Sequence, residues 1–163
     1  GWPPGAGSRS GTVELVWCAW ACTAGSRAAM WLPGWRPFDQ IAERTALLRQ
    51  LTEAGGRHPR DVEACSQFTL YIGKTVEEAR SRYRKTGMVQ HRVSLAHTGR
   101  DPALAEANNL IGSPASILDQ VAFLDKAGID HVCALQFPSD SGVEMLEQME
   151  WLAEEVMKPF NHS

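Results

Sequence analysis

The chain has 163 residues, a length that fits one domain. Hydrophobic residues make up 44% of it and charged residues 21%, and both values are ordinary for soluble globular proteins. The formal net charge of -3 excludes a general attraction to nucleic acid or to anionic membranes. No run approaches the ~18 apolar residues of a membrane span, and no signal-peptide pattern opens the chain, so we expect a cytoplasmic protein.

The first 36 residues differ in composition from the rest. They hold five of the six tryptophans and few charges, and they show no sustained helical or strand period. Only residues 12–17 favour a strand. We therefore assign residues 1–30 to an irregular N-terminal segment. A flexible tail, a truncation artefact and a stretch translated out of frame remain open as explanations.

The four cysteines are Cys18, Cys22, Cys65 and Cys133. A zinc site at Cys18 and Cys22 would need two further ligands, and none lies nearby at a useful spacing. We expect no metal and reduced thiols, with Cys65 and Cys133 acting as small buried apolar residues in or beside strands.

The sequence pattern predicts regular secondary structure from Pro37 onward. Apolar residues from Ile41 to Leu51 have the spacing of an amphipathic helix, and Gly55 with Gly56 ends it. Residues 62–73 contain a strand, since apolar and polar side chains alternate there and branched and aromatic residues are frequent.

Capping residues mark the helices that follow. Thr75 with Glu78 forms a capping box and predicts a helix over 76–85 that ends at Gly87. Residues 88–97 are compatible with helix or extended chain. Asp101 precedes Pro102 and Ser113 precedes Pro114. Each pair predicts a helix start, with the first residue as the N-cap and the proline at the first helical position.

The C-terminal part completes an alternating order of strands and helices. Residues 130–137 form the second clear strand, with an apolar centre typical of a parallel strand covered on both sides. Ser141 begins the last helix, whose apolar stripe runs to Met157, and Pro159 is expected to stop it. The order predicts a parallel α/β fold.

Several motifs in this part of the chain form an ordered set. They are Gly112-Ser113-Pro114, Ala127-Gly128-Ile129-Asp130, Gln136-Phe137-Pro138, Tyr71-Ile72-Gly73-Lys74-Thr75, Leu32-Pro33-Gly34-Trp35-Arg36-Pro37, and the final helix around Trp151 and Glu154. Their order resembles the C-terminal end of the luciferase-like monooxygenase family, over residues 31–163. The resemblance implies a partial (β/α)₈ TIM-type barrel, namely the last β/α units after an irregular N-terminal stretch, because a full barrel needs about 250 residues.

The resemblance also implies a function. Members of the family are oxidoreductases or monooxygenases that use reduced FMN or a deazaflavin on small organic substrates. This chain is then a fragment of such an enzyme, and we expect it to be inactive alone. The alternative is a non-catalytic half-barrel that self-associates through exposed strand edges. A small standalone α/β enzyme is disfavoured, since no nucleophile–base or metal constellation is visible.

Few site residues follow from the resemblance. Gly25, Ser26 and Arg27 are the candidate cofactor-binding turn, which would present backbone amides to a phosphate, with a plain loop as the alternative. Gln136 and Phe137 are the candidate substrate-pocket residues, because strand ends face the active site in a barrel. Their alternative is a strand end packed under a helix. No catalytic residue can be assigned.

The histidines carry no clear chemistry. His131 follows Asp130, but adjacent strand residues point to opposite faces, so we do not expect the two to act together. A general acid or base needs a positioned partner, and surface or capping roles are favoured for all five histidines.

Overall fold

The computed structural model describes residues 29–32, 36–98 and 102–161. The strands are β1 (Ala29–Trp31), β2 (Val62–Ile72), β3 (Leu110–Gly112) and β4 (His131–Gln136). The helices are α1 (Phe38–Ala54), α2 (Val76–Lys85), α3 (Gly87–Ser94), α4 (Pro102–Ala107), α5 (Pro114–Lys126), α6 (Gly142–Leu152) and α7 (Lys158–Asn161), and a π-helical turn (Ala153–Met157) joins the last two. In these ranges no helix is long and apolar enough to cross a membrane.

The sheet is built around β2, which pairs in parallel with each of the other three strands. β1 pairs with its first residues, Val62 to Ala64, and β3 with its last, Leu70 to Ile72. β4 pairs with the middle of β2, where one residue of β2, Phe68, faces two of β4 between the Gln67–Cys133 and Thr69–Gln136 pairs. This β-bulge bends β4 near its carboxyl end. The parallel sheet with connecting helices confirms the predicted α/β class.

One face of β2 is apolar and covered by helices. Val62, Ala64, Phe68, Leu70 and Ile72 lie along this face and are fully buried, and the buried Ser66 is the polar residue in the middle of the series. They pack with apolar side chains of α1, α5 and the C-terminal helices in a single cluster. Burial of such side chains contributes about 1.5–3 kcal/mol each. This cluster is the core that holds the helices against the sheet.

Helices cover the carboxyl end of the opposite face. There, Tyr71 and Ile111 pack with Ala79, Tyr83 and Val89 of α2 and α3. The rings of Tyr71 and Tyr83 meet edge to face, with centroids 6.4 Å apart. The α2–α3 pair therefore lies over the end of the sheet at which the active site of a barrel is found.

Asp130 and Arg49 connect the starts of β2 and β4. The Asp130 carboxylate receives hydrogen bonds from Arg49 Nη2 at 2.6 Å and from the backbone N–H of Ala64 at 2.8 Å. Arg49 also donates to the carbonyls of Pro59 and Gly128, at 3.0 and 2.9 Å. One ion pair thus joins α1, the turn before β2 and the turn before β4.

Burial alone would raise the pKa of Asp130, but the Ala64 N–H and the guanidinium groups of Arg49 and Arg60 outweigh it and hold this pKa below its ordinary value. A carboxylate whose pKa is lowered by folding stabilises the folded chain above the unfolded pKa. That contribution is lost as the pH falls through the folded value.

Gln148 of α6 occupies an edge of β2. Its side-chain oxygen accepts from the N–H of Ile72 at 2.6 Å, and its amide nitrogen donates to the carbonyl of Ile72 at 3.0 Å. The neighbouring Gly73 N–H donates to Gly112 of β3, so the Ile72 groups point toward the other edge. Gln148 is buried and supplies the bonds that a further strand would make.

Most of the predicted elements are confirmed, with adjustments at their ends. Residues 88–94 prove helical, and Gly87 begins α3 instead of only ending α2. Thr75 accepts from the N–H of Glu78 as expected, but the Glu78 carboxylate caps Lys74 and not Thr75. Positive φ angles occur at Gly56 and Gly128, both of which follow helices.

Two short strands were not predicted, and one expectation about the chain was wrong. Four strands are present in the described ranges, and the three-residue strands β1 and β3 were not predicted. Pro159 does not stop the last helix, which continues to Asn161. The reason is that the π-turn lets a new helical segment begin at Lys158, where proline occupies the first turn and its missing N–H costs nothing.

We predict that Asp130→Asn lowers the free energy of unfolding by about 3 kcal/mol at neutral pH, because Arg49 keeps its buried charge without a carboxylate partner. The difference should narrow as the pH falls below about 4, the pKa of the unfolded carboxyl, and should vanish at the lower pH at which the folded carboxylate is also protonated. Urea unfolding at several pH values measures it. Asp125→Asn, at an exposed helix position, is the control; an equal loss there would contradict the prediction.

We also predict that Gln148→Leu destabilises the chain by about 2–4 kcal/mol, because the buried N–H and carbonyl of Ile72 both lose their partner. Glu147→Leu, on the exposed side of the same helix, should change stability by less than about 0.5 kcal/mol. Urea midpoints of the two variants decide the matter. Similar midpoints would show that the Gln148 amide contributes little.

Candidate functional site

The face of the sheet opposite the apolar core is mostly polar. Side chains of paired residues in parallel strands lie on the same face, so the pairing places residues of β2 and β4 together. The members from the two strands are Glu63, Cys65, Gln67, Thr69, Tyr71, His131, Cys133 and Gln136. We call this set the polar face. In a barrel, the face away from the helices is the interior.

The carboxyl end of the polar face brings together a hydroxyl, an amide and a guanidinium. Thr69 is fully buried and lies opposite Gln136 in the register. Its Oγ1 has no hydrogen-bond partner among the described residues. Arg92, from α3, places Nη2 3.5 Å from Oε1 of Gln136. Arg92 and Gln136 therefore meet at this end of the sheet, and Gln136 is paired in the register with the buried Thr69.

A second charged group supports this end of the sheet. The Tyr71 hydroxyl donates to Oε1 of Glu144 at 2.6 Å, and Arg82 lies over the Tyr71 ring with its guanidinium carbon 5.6 Å from the centroid. The Tyr71 hydrogen bond is the main cause that holds the pKa of Glu144 below its ordinary value. Arg82 Nη2 also donates to Glu144 Oε1 at 3.3 Å, which joins α2 to α6 and orients both helices around this end of the sheet.

The amino end of the polar face carries thiols and an imidazole. Burial, followed by the neighbouring Cys133, raises the pKa of Cys65 to about 11, so its thiol stays protonated and unreactive. His131 Nε2 lies 3.7 Å from Glu63 Oε1, and both side chains are more than half exposed. This pair lies at the end of the strands away from a barrel active site, where surface pairs contribute little.

A cavity of about 430 Å³ lies between α2, α3 and α4. Its charged groups are already paired: Arg84 donates twice to the Glu106 carboxylate, at 2.7 and 2.8 Å, and Arg80 lies 3.6 Å from it. These ion pairs link α2 to α4. The charges therefore have a structural role, and the polar face remains the better candidate site.

The structure separates the residues that the sequence singled out. Gln136 lies on the polar face beside Arg92, whereas Phe137 packs against the apolar core cluster on the other side. Gly25, Ser26 and Arg27 lie outside the described residues, as do Cys18 and Cys22. Their assignments, and the pocket roles of Gln136 and Phe137, stay predictions.

Sequence reasoning missed Arg92 and Thr69. Arg92 lies in the segment that was compatible with helix or extended chain, so no side could be assigned to it. For Thr69 a signal existed, because polar residues alternate with apolar ones along β2. The separation of Asp130 from His131 is confirmed, since Asp130 binds Arg49 and the Ala64 N–H.

The polar face can bind and orient a ligand by hydrogen bonds. Among the described residues no group of three or more His, Cys, Asp or Glu could hold a metal ion. In the described part of the chain, the neighbours Cys133, Glu63 and Asp130 all raise the pKa of Cys65, so this thiol stays protonated. Such a surface suits chemistry that a bound cofactor supplies, with the protein providing position and environment.

Similar solved structures have the same fold. The monooxygenase RslO1 from Streptomyces bottropensis is 21% identical with a TM-score of 0.63, and the match covers 90% of this chain and 45% of that one. The coenzyme F420-dependent tetrahydromethanopterin reductase from Methanopyrus kandleri is 14% identical with a TM-score of 0.57, and the match covers 87% of this chain and 48% of that one. The oxygenating constituent of 3,6-diketocamphane monooxygenase from Pseudomonas putida, in complex with FMN, is 14% identical with a TM-score of 0.54. This match covers 85% of this chain and 44% of that one.

The chain spans a little under half the length of these three structures, as expected of a partial barrel. No curated protein matches the sequence. The luciferase-like monooxygenase family matches residues 21–133, which is more than half of the chain. The chain therefore belongs to the luciferase-like monooxygenase family.

Proposed function

We propose that the chain is the C-terminal part of a flavin-dependent oxidoreductase, in which the polar face forms one wall of the cavity for cofactor and substrate. The observation that carries the proposal is the division of the sheet. One face is apolar and packed under helices, and the other presents hydrogen-bonding groups beside Arg92 at its carboxyl end. Barrel active sites occupy that end.

The residues present fit a flavin-type cofactor. The edge of a flavin or deazaflavin ring carries N–H and C=O groups, and the buried Thr69 hydroxyl has no partner in the described part of the chain. Gln136 and Arg92 lie at the same end of the sheet and supply an amide and a cation. A buried polar group without a partner is costly, and a ligand hydrogen bond would offset that cost.

When bound and reduced, FMN supplies oxygen activation and a deazaflavin supplies hydride. The chain's own residues bind and orient. Arg92 attracts negative charge on the ligand, and the Gln136 amide holds the guanidinium in place. The α2–α3 pair covers the carboxyl end of the sheet and keeps water from Tyr71 and Ile111. A small organic substrate would occupy the remaining space, with the other wall supplied by strands outside the described residues.

A second candidate function is a non-catalytic half-barrel that self-associates. The observation that favours it is apolar exposure beside β1, where Met30 is 57% and Leu32 44% exposed. Sedimentation equilibrium tests it: a dimer that Met30→Lys dissociates would support self-pairing at this edge. A monomer at all concentrations would contradict it.

We predict that FMN or coenzyme F420 binds the purified chain weakly and without turnover, and that Thr69→Val weakens binding about tenfold, the effect of one lost hydrogen bond. The same substitution should leave the free energy of unfolding unchanged or higher, because the Thr69 hydroxyl has no protein partner in the described ranges. Cofactor fluorescence titration and urea unfolding measure the two effects.

The matched controls test charge. Arg92→Met should weaken cofactor binding, whereas Lys126→Met removes the same charge from the far end of α5 and should not. An equal loss of cofactor affinity in both variants would show that only the net charge of the chain matters. No binding up to about 1 mM, where the binding free energy is only about 4 kcal/mol, would contradict a cofactor wall in this chain. Turnover would contradict the inactive-fragment interpretation.

A further inference from the structure

The outward side of the C-terminal helical segment, residues 142–161, is apolar. The sequence predicts one apolar stripe there, but the structure divides it between two sides. Leu152 and Val156 are buried in the core, while Val143, Leu146 and Met149 are 68%, 63% and 45% exposed. Met157 is 52% exposed. We call Val143, Leu146, Met149 and Met157 the outer stripe.

The outer stripe follows helical spacing and is bordered by acidic side chains. Val143, Leu146 and Met149 are three residues apart, so they share one side of α6. Glu147 and Glu150 each follow a stripe residue by four positions and are exposed. Residues 142–161 contain five glutamates and one lysine, and that lysine pairs with Glu154. The stripe therefore has an acidic border, and two of its glutamates, Glu147 and Glu150, share a surface pocket with Lys74 and Arg82.

An apolar cavity adjoins the stripe at Met157. It has a volume of about 210 Å³ and lies between the sheet and the π-turn. Its lining includes Leu135 beside the bulge of β4, and Val156 and Phe160 of the helical segment. The cavity thus lies between two backbone irregularities, the β-bulge of β4 and the π-turn. Such a cavity can receive one large apolar side chain of a partner.

We propose that the outer stripe docks an amphipathic helix whose apolar side is flanked by lysine or arginine and carries one large side chain for the cavity. An apolar strip of helix is a recognised binding surface for an amphipathic helix. The acidic border selects the partner's charge. Two copies of this chain paired through the stripe would face each other with glutamates, which disfavours a second copy as the occupant.

The proposal stands apart from the flavin proposal, because the outer stripe and the polar face are on different elements. The probes are two labelled 18-residue peptides, one of Leu and Lys in amphipathic helical order and one of Leu and Glu in the same order. Fluorescence anisotropy with the full chain should show that the Leu/Lys peptide binds. The Leu/Glu peptide should bind with an affinity about tenfold lower, or lower still. Added salt should weaken the Leu/Lys complex.

Leu146→Lys should weaken Leu/Lys peptide binding about tenfold, because it places a charge in the middle of the stripe. Leu47→Lys is the matched control, since Leu47 lies on α1, is 40% exposed and gains the same charge. Equal effects of the two variants would overturn the proposal, since they would show attraction to net charge alone. Circular dichroism checks that both variants fold, as expected at exposed positions.

Sedimentation of the chain alone tests whether a second copy of the chain, and not a basic helix, occupies the outer stripe. A dimer that Leu146→Lys dissociates, but that Leu47→Lys does not, would overturn the proposal in favour of a second copy. Equal binding of the Leu/Glu peptide would also overturn it, because the acidic border would then select nothing. A chain that stays monomeric and binds the Leu/Lys peptide through Leu146 supports the proposal.

Discussion

The ion pair between Arg49 and Asp130 is the interaction on which the rest of this structure depends. The Asp130 carboxylate accepts from Arg49 and from the Ala64 N–H, and the Asp130 N–H donates to the Ala64 carbonyl, so Asp130 fixes where β4 begins along β2. In a sheet a shift of one residue would move every side chain of β4 to the other face. The apolar core and the polar face both require this register. The ion pair therefore sets which side chains can meet a ligand.

The division between the two faces links packing to function. The core side buries a continuous set of apolar residues and gives the sheet its stability. The polar side adds little to that core, and its Thr69 hydroxyl has no partner among the described residues. Polar groups that folding does not use are typical of binding surfaces. The Asp130 end of the sheet serves stability, and we propose that the Gln136 end serves binding, since barrels bind ligands at the carboxyl ends of their strands.

The sequence was most informative where a pattern is local. The alternation along β2 and the capping residues Thr75 and Ser113 predicted a strand and two helix starts that the structure confirms. The Ala127–Asp130 motif supported the family, but its physical role was hidden. Asp130 and Arg49 are 81 positions apart, and no periodicity connects residues so distant.

The remaining features lacked a local signal. A three-residue strand such as β3 is too short to show a period, and only its pairing with β2 identifies it. The place of Arg92 depends on how α3 folds back over the sheet. The bulge in β4 and the π-turn after Leu152 depend on tertiary packing. These elements shape the candidate site and the cavity beneath the outer stripe, which explains why the fold was more predictable than the site.

Nuclear magnetic resonance tests the central claim, that the polar face is a cofactor wall, most directly. FMN or coenzyme F420 would be titrated into the isotope-labelled chain, and the backbone amide shifts followed. The account predicts that changes concentrate at the carboxyl end of the sheet, around Thr69, Arg92 and Gln136. Changes confined to the outer stripe, or to the Arg49–Asp130 end of the sheet, would contradict it.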